Sequence, residues 1–136
     1  DHGGYHLKES IKEYLTNKGY EVEDFGTNNE DSVDYPEYGK KVANAVVANK
    51  GSFGIVVCGS GIGISIAANR VSGARAALVR TKEEAQLTRE HNDANILALG
   101  GRFTTNGQGQ QIVDAFLNTA FEGGRHSRRV EGIDND

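Results

Sequence analysis

The stretch that most constrains this chain runs from Phe53 to Ser65, Phe-Gly-Ile-Val-Val-Cys-Gly-Ser-Gly-Ile-Gly-Ile-Ser. It opens as an apolar run of β-branched residues, the pattern of a strand buried on both faces. The run breaks at Gly59, Gly61 and Gly63, three glycines in five positions, then resumes from Ile64 to Arg70 as a helix. Strand, glycine loop and helix in that order aim free backbone N–H groups at an anion. The last strand residue is Cys58, the only cysteine in the chain. The positive end of a helix favours an anion beside it, so Cys58 is a candidate nucleophile or base next to a candidate oxyanion site.

The remaining residues alternate between helix and strand patterns around that unit. Leu7, Ile11, Tyr14 and Leu15 recur at helical spacing, and Lys18-Gly19 supplies a stop. Residues 20–25 alternate and predict a strand; residues 26–34 are polar and predict a loop. Tyr35-Pro36 opens a second helix, with proline where a missing N–H costs nothing. Val42, Ala43, Ala45 and Val46 form its buried stripe, and Gly51 ends it. Residues 74–80 predict a strand, then Thr81 an N-cap with Glu84 in the reciprocal position, on a helix reaching about Glu90. Residues 96–99 predict a further strand and residues 107–121 a final helix; residues 122–136 read as a polar tail, basic in its first half.

This alternation predicts an α/β fold, a Rossmann-like, doubly wound parallel sheet with helices on both faces. Such a fold places a strand ahead of the first loop and helix, so one strand is expected before Asp1. The chain also contains no methionine. Its 136 residues suffice for one domain with one core. The net charge of −4 does not suggest a nucleic-acid partner, and no 18-residue apolar run exists to span a membrane. One cysteine cannot close an internal disulfide and no secretory signal is visible, which suits a reducing cytoplasm.

In an open parallel sheet, ligands bind beyond the carboxyl ends of the strands. Asp1 and His2 would follow the strand ahead of the chain, residues 58–63 follow the central one, and Gly100-Gly101-Arg102 follow the last. His91 falls in the turn before a strand, at the opposite edge, which favours a site shared between two subunits. Each residue also has an ordinary role. Cys58 could be a small buried hydrophobe, His91 a helix C-cap cation, Asp1-His2 a polar terminus, and Arg125, Arg128 and Arg129 a solvated tail. Against that last reading, arginines at i and i+4 can converge on one phosphate. The glycines match no full dinucleotide-binding pattern, and the histidines and cysteine show no metal-ligand spacing.

Five blocks taken together carry a resemblance: Asp1-His2-Gly3-Gly4, Asp34-Tyr35-Pro36, residues 58–69, His91-Asn92-Asp93-Ala94-Asn95, and residues 122–130. In this order and near this spacing they resemble the ribose-5-phosphate isomerase B family, over essentially the whole chain. The wider group also holds galactose 6-phosphate and allose 6-phosphate isomerases. The resemblance implies five parallel strands in three layers, the first strand lying ahead of Asp1. It implies a homodimer with shared active sites, or a tetramer built from such dimers, with the tail at 122–136 on the partner subunit. The implied reaction interconverts ribose 5-phosphate and ribulose 5-phosphate through an enediolate, without metal or organic cofactor.

By the same resemblance, Cys58 is the base moving a proton between C2 and C1. Ser60 and the amides of Gly59, Gly61 and Gly63 hold the enediolate oxygens. Asp1 and His91 are the candidates for opening the furanose ring. Tyr35 and Asn92 hold sugar hydroxyls, and His2, Arg102, Arg125 and Arg129 grip the phosphate; Arg128 has no counterpart. A six-carbon sugar phosphate is the alternative substrate. A non-catalytic sugar-phosphate or nucleotide-binding module would use the loop without the cysteine, and a thiol redox sensor the cysteine without the arginines.

Overall fold

The computed structural model describes residues 2–29 and 33–135, without the side chain of His2. Three parallel strands pair, β1 (Gly54–Cys58), β2 (Ala76–Leu78) and β3 (Ile96–Gly100), in the order β1-β3-β2. In register, Gly54 lies opposite Ile96 and Cys58 opposite Gly100, with Ala76 on the other side of Ile96. Parallel neighbours need crossover connections, and helices supply them on both faces. The helices are α1 (Tyr5–Asn17), α2 (Tyr35–Ala48), α3 (Ile62–Asn69), α4 (Lys82–Asn92), α5 (Asn106–Leu117) and α6 (Arg125–Asp134).

Strand side chains alternate between two cores. Val57, Leu97 and Leu99 pack with Leu7, Ile11 and Leu15 of α1, Ala85 of α4, and Ile112, Val113 and Phe116 of α5. Val56, Cys58, Ile96 and Ala98 pack with Ala43 and Val46 of α2 and Ile64 and Ala68 of α3. The sheet is therefore covered on both faces, which is why β1 and β3 are unbroken apolar runs in the sequence. The expected α/β class and three layers stand.

Some boundaries differ. Residues 20–25 form no strand; Tyr20 and Val22 are exposed, and the segment lines a cavity of about 910 Å³ whose other wall includes β1. Alternation gave it strand character, but an extended segment becomes a strand only by pairing, and β1 is the edge of the paired sheet. Three of the five expected strands are paired among the described residues; the one expected ahead of Asp1 falls outside them. The 74–80 strand is shorter than expected, at Ala76–Leu78. Thr81 caps α4 through Glu84 N at 3.1 Å, but the Glu84 carboxylate accepts from Arg80 N at 2.9 Å, one residue earlier than a capping box requires. Thr105 and Gln108 form the full box at the start of α5. The expected tail is α6. It packs on its own chain, where the Asp134 carboxylate accepts from Gly73 N at 3.1 Å. No helix among the described residues is long and apolar enough to cross a membrane.

Candidate active site

The first group of expected site residues gathers where β1 ends. Cys58 points to the α2–α3 side and is 6% exposed; its Sγ accepts from Gly61 N at 3.1 Å. Cys58 thus belongs to the apolar α2–α3 core, and its sulfur also meets the start of α3 through that amide. Gly61 has φ of 79°, and a Cβ there would lie 2.9 Å from the Leu99 carbonyl oxygen, so no other residue fits without strain. Ser60 Oγ accepts from Ile62 N at 3.2 Å, which satisfies another open N–H of the helix start. A Cβ on Gly63 would fall 2.5 Å from the Tyr35 ring, and one on Gly59 would fall 3.2 Å from Arg102 Nε. Small residues therefore let an aromatic ring and a guanidinium close over the loop.

The loop after β3 is tied to the same place. Gly101 N donates to Cys58 O at 2.8 Å and Arg102 N to Gly59 O at 3.0 Å. Residues 2–4 form a 3-10 turn against this junction, with Gly3 O 2.7 Å from where a Cβ of Gly101 would stand. That brings the backbone of His2 to the site; its side chain and Asp1 lie outside the described residues. Cys58, Gly59, Ser60, Gly61, Gly63, Tyr35 and Arg102 are thus brought together.

The second group gathers at the C-terminal end of α4. His91 and Asn92 occupy the last turn, which stops because Asp93 adopts left-handed angles, φ 46° and ψ 43°. A non-glycine residue there carries strain, and its side chain is held by Arg89 at 2.8 Å and Arg75 at 3.5 Å. Arg89 is itself buried. It also donates to Ala94 O and Thr119 O and lies over the Phe53 and Phe116 rings. Glu122 N then donates to Glu90 O at 3.1 Å, and Gly123 and Gly124, both at positive φ, turn the chain back into α6.

That turn lays His126 on His91, with ring centroids 4.4 Å apart and planes 15° apart. A cavity of about 310 Å³ is lined by His91, Asn92, His126, Arg129, Val130 and Ile133. Arg125 is exposed one turn before Arg129. Burial and the nearby charges of His91, Arg125 and Arg129 push the His126 pKa down, against the pull of Glu122. Glu122 and His126 carried no role in the sequence reading. The Gly123-Gly124 pair between them was the available signal, since two adjacent glycines permit the reversal that stacks the rings.

The two groups do not meet within one chain. Cys58 pairs with Gly100 at one end of the sheet, while His91 precedes Ile96 at the other. Four residue steps of strand separate those ends, about 13 Å at ~3.3 Å per residue. One small sugar phosphate cannot touch both.

The sequence profile of a family described as Ribose/Galactose Isomerase matches residues 1–133. Ribose-5-phosphate isomerase B of Escherichia coli strain K12 is 47% identical over 133 residues, covering 98% of this chain and 89% of the relative. The crystal structure of a ribose 5-phosphate isomerase from Thermotoga maritima superposes with a TM-score of 0.97 at 53% identity, covering 100% of this chain and 94% of that one. Ribose-5-phosphate isomerase B from Mycoplasma genitalium, solved with bound ribulose-5-phosphate, gives 0.94 at 45% identity, covering 98% and 89%.

Proposed function

This chain belongs to the ribose/galactose isomerase family, and we propose that it interconverts ribose 5-phosphate and ribulose 5-phosphate through an enediolate, with Cys58 as the base. The observation that carries this reading is the loop after β1, where one sulfur and a helix start share a few residues beneath Tyr35 and Arg102.

The chemistry begins with a closed furanose. An acid–base pair, for which Asp1 and His91 are the candidates, removes the O1 proton and protonates the ring oxygen. The C1–O4 bond then breaks and C1 becomes a carbonyl. The Cys58 thiolate takes the C2 proton, and the electron pair moves onto O1. A proton passes from O2 to O1, the thiol returns its proton to C1, and C2 is left as the ketone. Removing one oxyanion donor from an enzyme typically costs ~3–4 kcal/mol, so the groups that face the developing charge matter as much as the base. Gly61 N–H serves the sulfur. Ser60 with the amides of Gly59 and Gly63 serves the oxygens. Tyr35 and Asn92 hold hydroxyls, and His2, Arg102, Arg125 and Arg129 take the phosphate, which orients the sugar without reacting.

The working unit in this proposal is a homodimer, in which the α4–α6 corner of one subunit faces the β1–α3 loop of its partner. Two features support it. The two groups of site residues are a sheet length apart, and α3 presents Ile62 and Ile66 to solvent one turn apart, with Phe103 also exposed after β3. The exposed arginine face of α6 fits the same arrangement.

The test incubates the protein with ribose 5-phosphate, with and without a chelator, beside allose 6-phosphate and galactose 6-phosphate. Appearance of ribulose 5-phosphate as the fastest product supports the reading. Faster turnover of a six-carbon substrate replaces it with the alternative, and binding without turnover leaves a sensing module.

A further inference from the structure

The structure assigns His126 a task of its own: we propose that its buried ring is the platform that fixes the His91 imidazole in the orientation needed to open the furanose ring. The inference rests on the ring-opening role proposed for His91. His91 is the one histidine of α4, in its last turn, and its side chain is 40% exposed. His126 is 9% exposed by side chain and lies face to face with it, 4.4 Å between centroids. Parallel aromatic faces at this distance hold each other's orientation, and a general acid or base acts only when its nitrogen points at the right oxygen.

The arrangement excludes two other readings of the same cluster. Glu122 Oε1 lies 3.6 Å from His91 Nε2 and 3.7 Å from His126 Nε2, too far for a hydrogen-bonded relay. The three ligand atoms do fall within 4.8 Å of one another, which invites a metal ion. But imidazole lone pairs lie in their ring planes, and these planes are 15° apart, so the two nitrogens point side by side and not at a common centre. What remains is a contact through ring faces. The Glu122–Glu90 backbone bond and the Gly123-Gly124 reversal place the platform, and the Asp93 stop places the ring that rests on it.

The chemistry provides a direct readout. Ribose 5-phosphate enters as a furanose and must be opened. Ribulose 5-phosphate has its carbonyl at C2 and its terminal hydroxyl phosphorylated, so it enters open, and the open aldehyde it forms can leave and close in water. A defect confined to ring opening therefore lowers kcat in the aldose-to-ketose direction and spares kcat in the reverse, while the two kcat/KM values keep the ratio that the equilibrium fixes. We expect His126→Ala to lower kcat from ribose 5-phosphate at least tenfold while the rate from ribulose 5-phosphate stays within about threefold of the parent. His126→Phe restores a flat ring without nitrogens and should bring the forward rate back to within about threefold. A primary isotope effect from ribose 5-phosphate deuterated at C2 should shrink in His126→Ala, because opening precedes proton transfer, and return in His126→Phe. His91→Asn, run beside them, should show the same one-sided loss. Equal losses in both directions for His126→Ala, or a His126→Phe no better than alanine, overturn the platform while leaving a one-sided His91→Asn intact. A His91→Asn that is equally slow in both directions overturns the ring-opening role itself.

Discussion

In the β1–α3 loop the functional groups are held by backbone. Cys58, Ser60 and three glycines lie within six consecutive residues, and the N–H and carbonyl groups of Gly59, Gly61 and Gly101 bind them to the ends of β1 and β3. In the α4–α6 corner they are side chains from segments about thirty residues apart, stacked through ring faces and braced by Arg89 and Asp93. The first arrangement is rigid because backbone hydrogen bonds tie it both within its own turn and to the loop after β3. The second depends on two distant turns, a strained Asp93 and a Gly-Gly reversal, being correct together. The proposed reaction uses both: an immobile place where charge develops on oxygen, and acid–base groups held in orientation to open a ring before that chemistry starts.

If the two regions act in one site formed between subunits, they can be broken separately and recombined. Cys58→Ala should lower turnover by about 10²–10⁴-fold while ribose 5-phosphate still binds, measured by steady-state kinetics and calorimetry. Mixing that variant with His91→Asn, after unfolding and refolding together and assayed from ribose 5-phosphate, should recover about a quarter of the parental activity. Random pairing makes half the dimers mixed, and each mixed dimer has one intact site. No recovery would mean that each subunit is complete alone. Gly61→Ala should cost about 1–3 kcal/mol of stability, seen as a lower denaturation midpoint, since alanine must adopt φ near 79° against the Leu99 carbonyl. Its activity should fall too, because the sulfur loses a fixed N–H.

Arg129→Ala, in the α4–α6 corner, should raise KM for ribose 5-phosphate about tenfold with kcat nearly unchanged; the reverse pattern would remove it from the phosphate grip. The smallest effect concerns acid. The folded His126 has a lowered pKa, so between that value and its unfolded value near 6.5 the unfolded chain binds more protons. Stability from this residue is complete above pH 6.5 and is lost as pH falls through that window. His126→Phe should flatten this part of the melting-temperature profile, with Glu122, Arg125, Arg129 and His91 still facing the site.

The β1–α3 loop is legible in the amino-acid sequence, down to the residues that must be glycine. Tight turns and helix starts are decided by neighbours in sequence, and the positive φ at Gly61 belongs to the turn itself, whereas the clash of a Cβ there is with Leu78 and Leu99 and comes from the fold. The corner is legible only in part. His91, Asn92 and Arg129 stand in recognisable blocks, but the stack of His126 on His91 joins residues 35 apart and has no periodicity to announce it. Residues 20–25 err the other way. Their alternation suits a strand, yet pairing depends on a neighbour that lies elsewhere.

By itself the sequence determined the class of fold, the two-sided burial of β1 and β3, the placement of Cys58 before a helix start, and the family to which the chain belongs. Those follow from residue patterns that act over a few positions or recur in order along the chain. Tertiary structure alone decided that Arg102 lies on Gly59, that the expected tail is a helix docked on α4, and that the two groups of candidate site residues stand a sheet length apart. Each of these is a contact between segments distant in sequence, and such contacts are selected by the packing of the whole core and not by local preference.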